Sequence, residues 1–278
     1  MKLYDNMSFD AERALYGERD IYIRDCSFDG PADGESALKE AGEITAERCL
    51  FNLRYPFWHC DGVRIFNCEM TDKCRAALWY SKDIEIVGGK YEGIKALREC
   101  NNAFMSNINV VSPEFGWFSS KIKAVDSSFV SEYFMLRSRD IEFNNIKFKG
   151  KYSFQYIENA TFDNCDFDTK DAFWHAKNVT VRNSTVKGEY LAWYSENLTL
   201  ENCHIIGTQP LCYCKGLRLI NCTMSGCDLS FEKSEVHACI IGAVDSVKNP
   251  ISGVISADTI GEIIYDTEER NCEIITKN

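Results

Sequence analysis

Asn178-Val-Thr-Val-Arg-Asn183 and Asn197-Leu-Thr-Leu-Glu-Asn202 begin 19 residues apart and share one pattern: Asn, apolar, Thr, apolar, charged, Asn. Stepping by the same interval between Asp83 and Glu235 lands on Asn102, Lys121, Asp140, Asn159 and Gly216 without an insertion or deletion. Earlier starts at Asp20, Glu43 and Gly62 are spaced 23, 19 and 21, so the frame loosens towards the N-terminus. A fixed period of this length is the mark of a solenoid. No single unit can bury its apolar face, and stacking supplies the core.

Within the unit, position two (Ile84, Ile141, Val179, Leu198, Leu217) and position four (Ile86, Phe143, Val181, Leu200, Leu219) are apolar with a polar residue between them. That is the strand period with one face buried. Position nine is apolar again, through Val110, Phe129, Phe148, Phe167, Val186 and Ile205. Turn residues repeat as well: Asn107, Asn145, Asn164, Asn183, Asn202 and Asn221 at position six, and Gly93, Gly150, Gly188, Gly207 and Gly226 at position eleven. Asparagine tolerates the left-handed region and glycine has no Cβ to clash there.

Three strands and three turns in nineteen residues predict an all-β chain, a single-stranded right-handed parallel β-helix of about 12 coils. The hexapeptide period of a left-handed helix would give eighteen, and the Leu-x-x-Leu-x-Leu ladder of leucine-rich repeats is absent. The expected organisation is one domain over residues 1–278. Residues 1–19 form an N-terminal cap in which Phe9 to Tyr16 reads as a short helix, residues 20–253 form the coils, and residues 254–278 form a non-repeating C-terminal cap that covers open strand edges.

The formal net charge of -11 opposes a nucleic-acid partner, which needs Lys and Arg to neutralise phosphates. The start lacks a signal-type apolar stretch and no apolar run has membrane-spanning length, so a cytoplasmic location with no membrane partner is expected. Fourteen cysteines in such a chain are expected to be reduced. Six of them, Cys26, Cys49, Cys68, Cys165, Cys203 and Cys222, share position seven and read as fillers of a narrow interior. Cys212 and Cys214 with Cys222 and Cys227 lack the CxxC spacing of a zinc knuckle, so neither metal nor cofactor is expected. The loop from Asp29 to Lys39, with Asp33 and Glu35, reads as a solvated loop, since its spacing does not match an EF-hand.

The third side of the coil carries the candidate chemistry. All five tryptophans fall at position sixteen: Trp58, Trp79, Trp117, Trp174 and Trp193, joined there by Arg98, Leu136, Gln155, Cys212 and Phe231. Position seventeen reads His59, Tyr80, Glu99, Phe118, Arg137, Tyr156, His175, Tyr194, Tyr213 and Glu232. Both columns hold groups costly to bury unpaired, so a kink is expected that turns both outward. Rows of aromatic rings with interleaved charge suit a saccharide, with Trp58, His59, Trp79, Tyr80, Glu114, Trp117, Trp174, Trp193 and Tyr194 as candidate binding residues. Arg137, Tyr156 and His175 at successive coils, with Asp171 nearby, form a candidate acid/base set for a β-eliminating lyase. Glu99 beside Arg98, with Glu114 and Asp171, is the alternative set for glycoside hydrolysis. The plain alternative is aromatic stacking that only stabilises the coils.

The functional expectation is a carbohydrate-directed protein that binds or acts on an oligosaccharide along this stripe; the alternative is a non-enzymatic scaffold or protein-binding module. Oligomeric state is not encoded in these patterns.

Leu53-Arg-Tyr-Pro-Phe-Trp-His59, Ala76-Ala-Leu-Trp-Tyr-Ser81, Ser112-Pro-Glu-Phe-Gly-Trp117, Tyr133-Phe-Met-Leu-Arg137 and Asp171-Ala-Phe-Trp-His175 resemble segments of a bacterial family of single-domain right-handed β-helices, a domain of unknown function. The resemblance spans nearly the whole chain and implies a fold and no catalytic residue. More distantly the chain is similar to pectate-lyase-like β-helices, many of which cleave or isomerise uronate polysaccharides. It lacks the Asn-Thr-Asp, Asp-Asp and Gly-His-Gly of polygalacturonases.

Overall fold

A computed structural model describes residues 1–30, 36–268 and 270–277. Asp33 and Glu35 of the acidic loop lie outside the described residues. The chain is an all-β parallel solenoid of about 14 turns with a period near 19 residues and, among the described residues, no helix. It divides into two compact units, Met1–Glu142 and Phe143–Asn278.

In the first unit, Lys2–Asp5, Arg19–Arg24, Gly42–Glu47, Asp61–Met70, Lys82–Glu92, Asn101–Ser106 and Ser120–Ser131 pair in parallel in that order. Register carries the position-two residues into one vertical row, Ile21, Ile44, Val63, Ile84, Ala103 and Ile122, all buried. In the second unit, Glu158–Asp163, Lys177–Arg182, Glu196–Glu201, Leu217–Ser225 and Glu235–Ile240 do the same, with Val179 on Leu198 and Leu217 on Val236.

Both terminal caps are corrected. Lys2 pairs with Ile21 and Ser8 with Ser27, each a 19-residue step, so the coils begin at the N-terminus. Phe9 stacks on Phe28 at 4.7 Å and Phe28 on Phe51 at 4.9 Å. The stretch from Glu12 to Tyr16 is a turn, not a helix: Arg13 is left-handed (φ 53°), and Leu15 is 3% exposed and donates its N–H to the Ala37 carbonyl. Leu15 is drawn inward as part of the coil. At the other end Glu235 faces Ser252 after a step of 17, and Ser252 faces Asn271 after a step of 19. The repeat continues to Thr276 with a changed step, which raises the turn count from 12 to about 14.

Two corners are built from left-handed residues. Position six holds Asn107, Asn145, Asn164, Asn183, Asn202 and Asn221 and position one holds Asn102, Asn159, Asn178 and Asn197, all with φ between 49° and 59°. The side-chain amides chain along the axis: Asn197 donates to Asn178 at 3.1 Å and Asn178 to Asn159 at 3.2 Å. All fourteen cysteines are free thiols, and all but Cys239 are buried. They donate to interior carbonyls, as Cys49 does to Glu47 and Cys203 to Glu201, both at 3.3 Å. Burial pushes the Cys60 and Cys100 thiols up to about 12. Among the described residues no helix is long and apolar enough to cross a membrane.

Candidate functional site

The expected kink is a third left-handed corner, formed by position seventeen. In the first unit His59, Tyr80, Glu99, Phe118 and Arg137 have φ of 51° to 59°; in the second, Tyr156, His175, Tyr194 and Tyr213 have φ of 55° to 62°. A left-handed residue breaks strand alternation. Around this corner position fifteen is buried (Phe57 and Leu78, with Phe154 and Phe173, which are themselves left-handed at φ 58° and 59°), sixteen is half-buried except for the buried Cys212, seventeen is turned outward, and eighteen is buried again (Cys60, Ser81, Ser138, Ser195). One coil departs from the expected frame. Tyr194 donates its N–H to the Cys212 carbonyl, 18 residues on, but Tyr213 donates to Glu232, 19 residues on. The extra residue places Phe231, fully buried, at position fifteen and Glu232 at sixteen.

The position-sixteen side chains stitch coils together. Trp117 Nε1 donates to the Tyr133 carbonyl at 3.0 Å, Gln155 Nε2 to Asp171 at 3.1 Å, Trp174 to Tyr190 at 2.7 Å and Trp193 to Gln209 at 2.8 Å. Each covers an exposed carbonyl of the next turn, which gives the indoles and the amide one shared structural task.

At position seventeen the two units differ. In the second, Tyr156 lies 4.7 Å from His175, His175 5.0 Å from Tyr194, and Tyr194 4.8 Å from Tyr213, with ring planes within 8° to 13° of parallel. Trp174 stacks on Trp193 behind them at 5.5 Å and 4°. These rings cover one another's faces and present edges. In the first unit His59 and Tyr80 lie 4.9 Å apart with their planes tilted by 41°, Tyr80 stacks on Trp79 at 5.1 Å and 16°, and then Glu99 occupies the next rung, before Phe118. Tyr80 and Phe118 on either side of that break are 41% and 45% exposed, as are Tyr156 and Tyr194 of the second unit at 42% and 44%, so the units differ in what lies between the rings and not in how far the rings are exposed.

Beneath the break, the Arg98 guanidinium carbon sits 5.5 Å from Trp79, 5.4 Å from Trp117 and 5.7 Å from Phe118. Glu99 accepts from Trp79 Nε1 at 3.3 Å and from Arg98 Nε at 3.4 Å. Glu114 faces Arg98 Nη1 at 3.9 Å and Lys95 Nζ at 3.8 Å, and its buried Oε2 accepts no hydrogen bond. Further along, Lys39 Nζ lies 4.5 Å over Trp58, which stacks on Trp79 at 6.2 Å.

Tyr156 and His175 meet, through ring faces, while Arg137 belongs to the first unit. Asp171 is 7% exposed; burial raises its pKa, Lys170 opposes the rise and Glu189 adds to it. Lys170 itself pairs with Glu189 at 2.9 Å. Of the carboxylate set, Glu99 and Glu114 are gathered by one guanidinium in the first unit, and Asp171 lies in the second. Sequence reasoning passed over Phe118, Lys39 and Lys95. Phe118 was visible as a position-seventeen residue flanking Glu99.

Coils of this pattern, with an outward ladder of stacked side chains, define a parallel β-solenoid with a ring-lined corner. The chain belongs to a family described as protein of unknown function (DUF3737), whose profile matches residues 2–276. No curated protein matches it. Among solved structures it is similar to a periplasmic alginate epimerase double mutant, with 8% identity over 92% of this chain and 76% of that one, at a TM-score of 0.31. It is also similar to the catalytic domain of an α-1,3-glucanase in complex with tetrasaccharides, with 8% identity over 99% of this chain and 64% of that one, at a TM-score of 0.26.

Proposed function

We propose that the protein binds a saccharide, without transforming it, at the break in the first unit's ring ladder. The observation that carries this is Glu99, a carboxylate on a rung between the exposed rings of Tyr80 and Phe118, above Arg98. A pyranose has an apolar C–H face and a rim of hydroxyls. The exposed parts of Tyr80, which stacks on Trp79, and of Phe118, which lies against Arg98, accommodate the first, and the carboxylate and guanidinium accommodate the second. Arg98 is already clamped between two indoles, so little side-chain freedom is lost on binding. Glycoside hydrolysis needs a separate acid and base flanking the bond, whereas Glu99 and Glu114 face the same cation.

In the second unit the ring faces are occupied by one another, which favours a purely structural role for that part of the stripe. A broad glycan array with the full chain tests the reading. Retention of a small set of oligosaccharides is expected, weakened about tenfold by Phe118→Ala or Glu99→Gln and unchanged by Tyr194→Ala, as removal of a single directed contact predicts. No retained glycan, or equal loss with Tyr194→Ala, overturns it.

A further inference from the structure

Two interior columns are filled by cysteine and serine, and they order the two residues differently. Position eighteen runs Cys60, Ser81, Cys100, Ser119, Ser138 in the first unit and Ser195, Cys214, Ser234 in the second, so every thiol there meets a hydroxyl in the next coil. Those hydroxyls hold backbone: Cys60 donates its N–H to Ser81 Oγ at 3.0 Å, Cys100 to Ser119 at 3.1 Å and Cys214 to Ser234 at 2.9 Å. At position seven Ser184 does the same for Cys165 at 2.9 Å and Ser127 for Ile108 at 3.2 Å. In two places of that column, however, a thiol stands on a thiol.

Register fixes both places. Glu201 faces Ile220 and His204 faces Thr223, which puts Cys203 opposite Cys222 in the second unit. Glu47 faces Phe66 and Leu50 faces Glu69, which puts Cys49 opposite Cys68 in the first. Neighbouring strands are about 4.8 Å apart, inside the roughly 4.4 to 6.8 Å between Cα atoms that a disulfide spans, so each pair is within reach of a bond. Within each pair the thiols hydrogen-bond to one another, and the Cys49 N–H also donates to Cys68 Sγ at 3.3 Å. Donation from the Cys203 thiol holds the Cys222 thiol below its ordinary value, which raises the share present as the nucleophilic thiolate. All four are 2% exposed or less. Beyond Cys222 the ladder changes: Leu219 faces Ala238, but Cys222 faces Ile240, so the Cys203–Cys222 pair lies beside an irregular junction.

We propose that Cys203 with Cys222, and in the first unit Cys49 with Cys68, are oxidisable pairs that close disulfides across adjacent coils when the chain meets a hydroperoxide. In the second unit the Cys222 thiolate attacks a peroxide oxygen, the O–O bond breaks, and the sulfur becomes a sulfenic acid while the other oxygen leaves as water. The Cys203 sulfur, giving up its proton, then attacks the Cys222 sulfur; the S–S bond forms, the S–O bond breaks and a second water leaves. Two thiols lose two electrons in all, and one hydrogen peroxide is reduced to two waters. The bond staples coils otherwise held at this point by backbone contacts, such as the Thr223 N–H to the Cys203 carbonyl at 2.9 Å. Because the sulfurs are covered, oxidation waits on local opening of the corner, and the staple then holds the corner shut. None of the four cysteines belongs to the proposed saccharide site.

Cys239 is exposed and faces Ser256, so Cys239→Ser removes links between molecules without touching either pair. The full chain with that substitution is oxidised with hydrogen peroxide, alkylated in urea and mapped by peptide mass. Cys203 linked to Cys222 and Cys49 linked to Cys68 are expected, with Cys60, Cys100, Cys165 and Cys214 alkylated, since the next coil offers each of them a hydroxyl. The oxidised chain is expected to unfold at a higher urea concentration than the same sample after dithiothreitol. Cys222→Ser, a residue the column already holds at Ser127 and Ser184, is expected to lose the Cys203 link and keep the Cys49 link. Full alkylation of Cys203 and Cys222 after oxidation, their conversion to sulfinic or sulfonic acid, or an unchanged urea midpoint overturns the staple. Links between thiols of different columns overturn it as well, because they would mean that the chain unfolded before it was oxidised.

Discussion

The two units use the same corner in opposite ways. In the second, every rung from Tyr156 to Tyr213 is a ring, and the faces are consumed in holding coils at their spacing. In the first, a carboxylate interrupts the rungs and a guanidinium fills the space behind, between Trp79 and Trp117. A repeated scaffold can therefore fill one column with stacked rings in one stretch and with a paired charge in another, by changing a single side chain per coil.

The largest effect expected is in the closed stack. Trp193 touches Trp174 at 5.5 Å, Tyr190 at 5.3 Å and Tyr213 at 5.4 Å and holds the Gln209 carbonyl, so Trp193→Ala is expected to cost about 3 kcal/mol in urea denaturation. A cost below about 1 kcal/mol would mean the stack is decorative. Arg98→Ala comes next. It leaves Glu99 and Glu114 facing each other's charge in partly dry surroundings, for about 2 kcal/mol, whereas Arg98→Met, which restores the packing between the indoles, is expected to recover much of that.

Glu99→Tyr sharpens the comparison by completing the first unit's ladder. It is expected to gain about 0.5 to 1 kcal/mol from ring stacking while abolishing glycan retention. Stabilisation with retention intact would dissociate the break from binding.

The smallest effect concerns Asp171. Its folded pKa is raised above the unfolded value, so the folded state holds the proton more tightly. Stability contributed by this group is highest at low pH and falls as pH rises from the ordinary Asp value through the raised one. Asp171→Asn is expected to raise the midpoint of thermal unfolding at neutral pH and to flatten its slope between those two values. A slope unchanged by the substitution would show that burial of this carboxyl is relieved by solvent.

The strands were legible because Val179, Leu198 and Leu217 repeat at a constant interval, and alternation needs nothing else. The ends were not. Phe9 to Tyr16 has helix-like composition, but Phe9 belongs on the Phe28 stack and Leu15 in the interior, and tertiary burial overrides local propensity. One step near the C-terminal end, from Glu235 to Ser252, shortens to 17 before the next returns to 19, which a fixed period cannot follow. The outward turn of position seventeen could be inferred from charge, whereas position sixteen, expected to turn outward too, is half-buried; the self-stacking of the second unit's rings could not be inferred, because a sequence gives a column and not the orientation of its ring planes. One signal at position seventeen went unused: it holds no Val, Ile or Thr, the residues least able to adopt a positive φ.

That left-handed corner also governs how the family can diversify. A side chain branched at Cβ strains a backbone held near φ 55°, and proline cannot reach it at all. Lineages can then exchange rings for charges at these rungs freely, but only within an unbranched alphabet. Across the family, variation in hydropathy at position seventeen is expected to be wide while variation in branching stays near zero, so substitution scores based on polarity will misjudge which changes this surface tolerates.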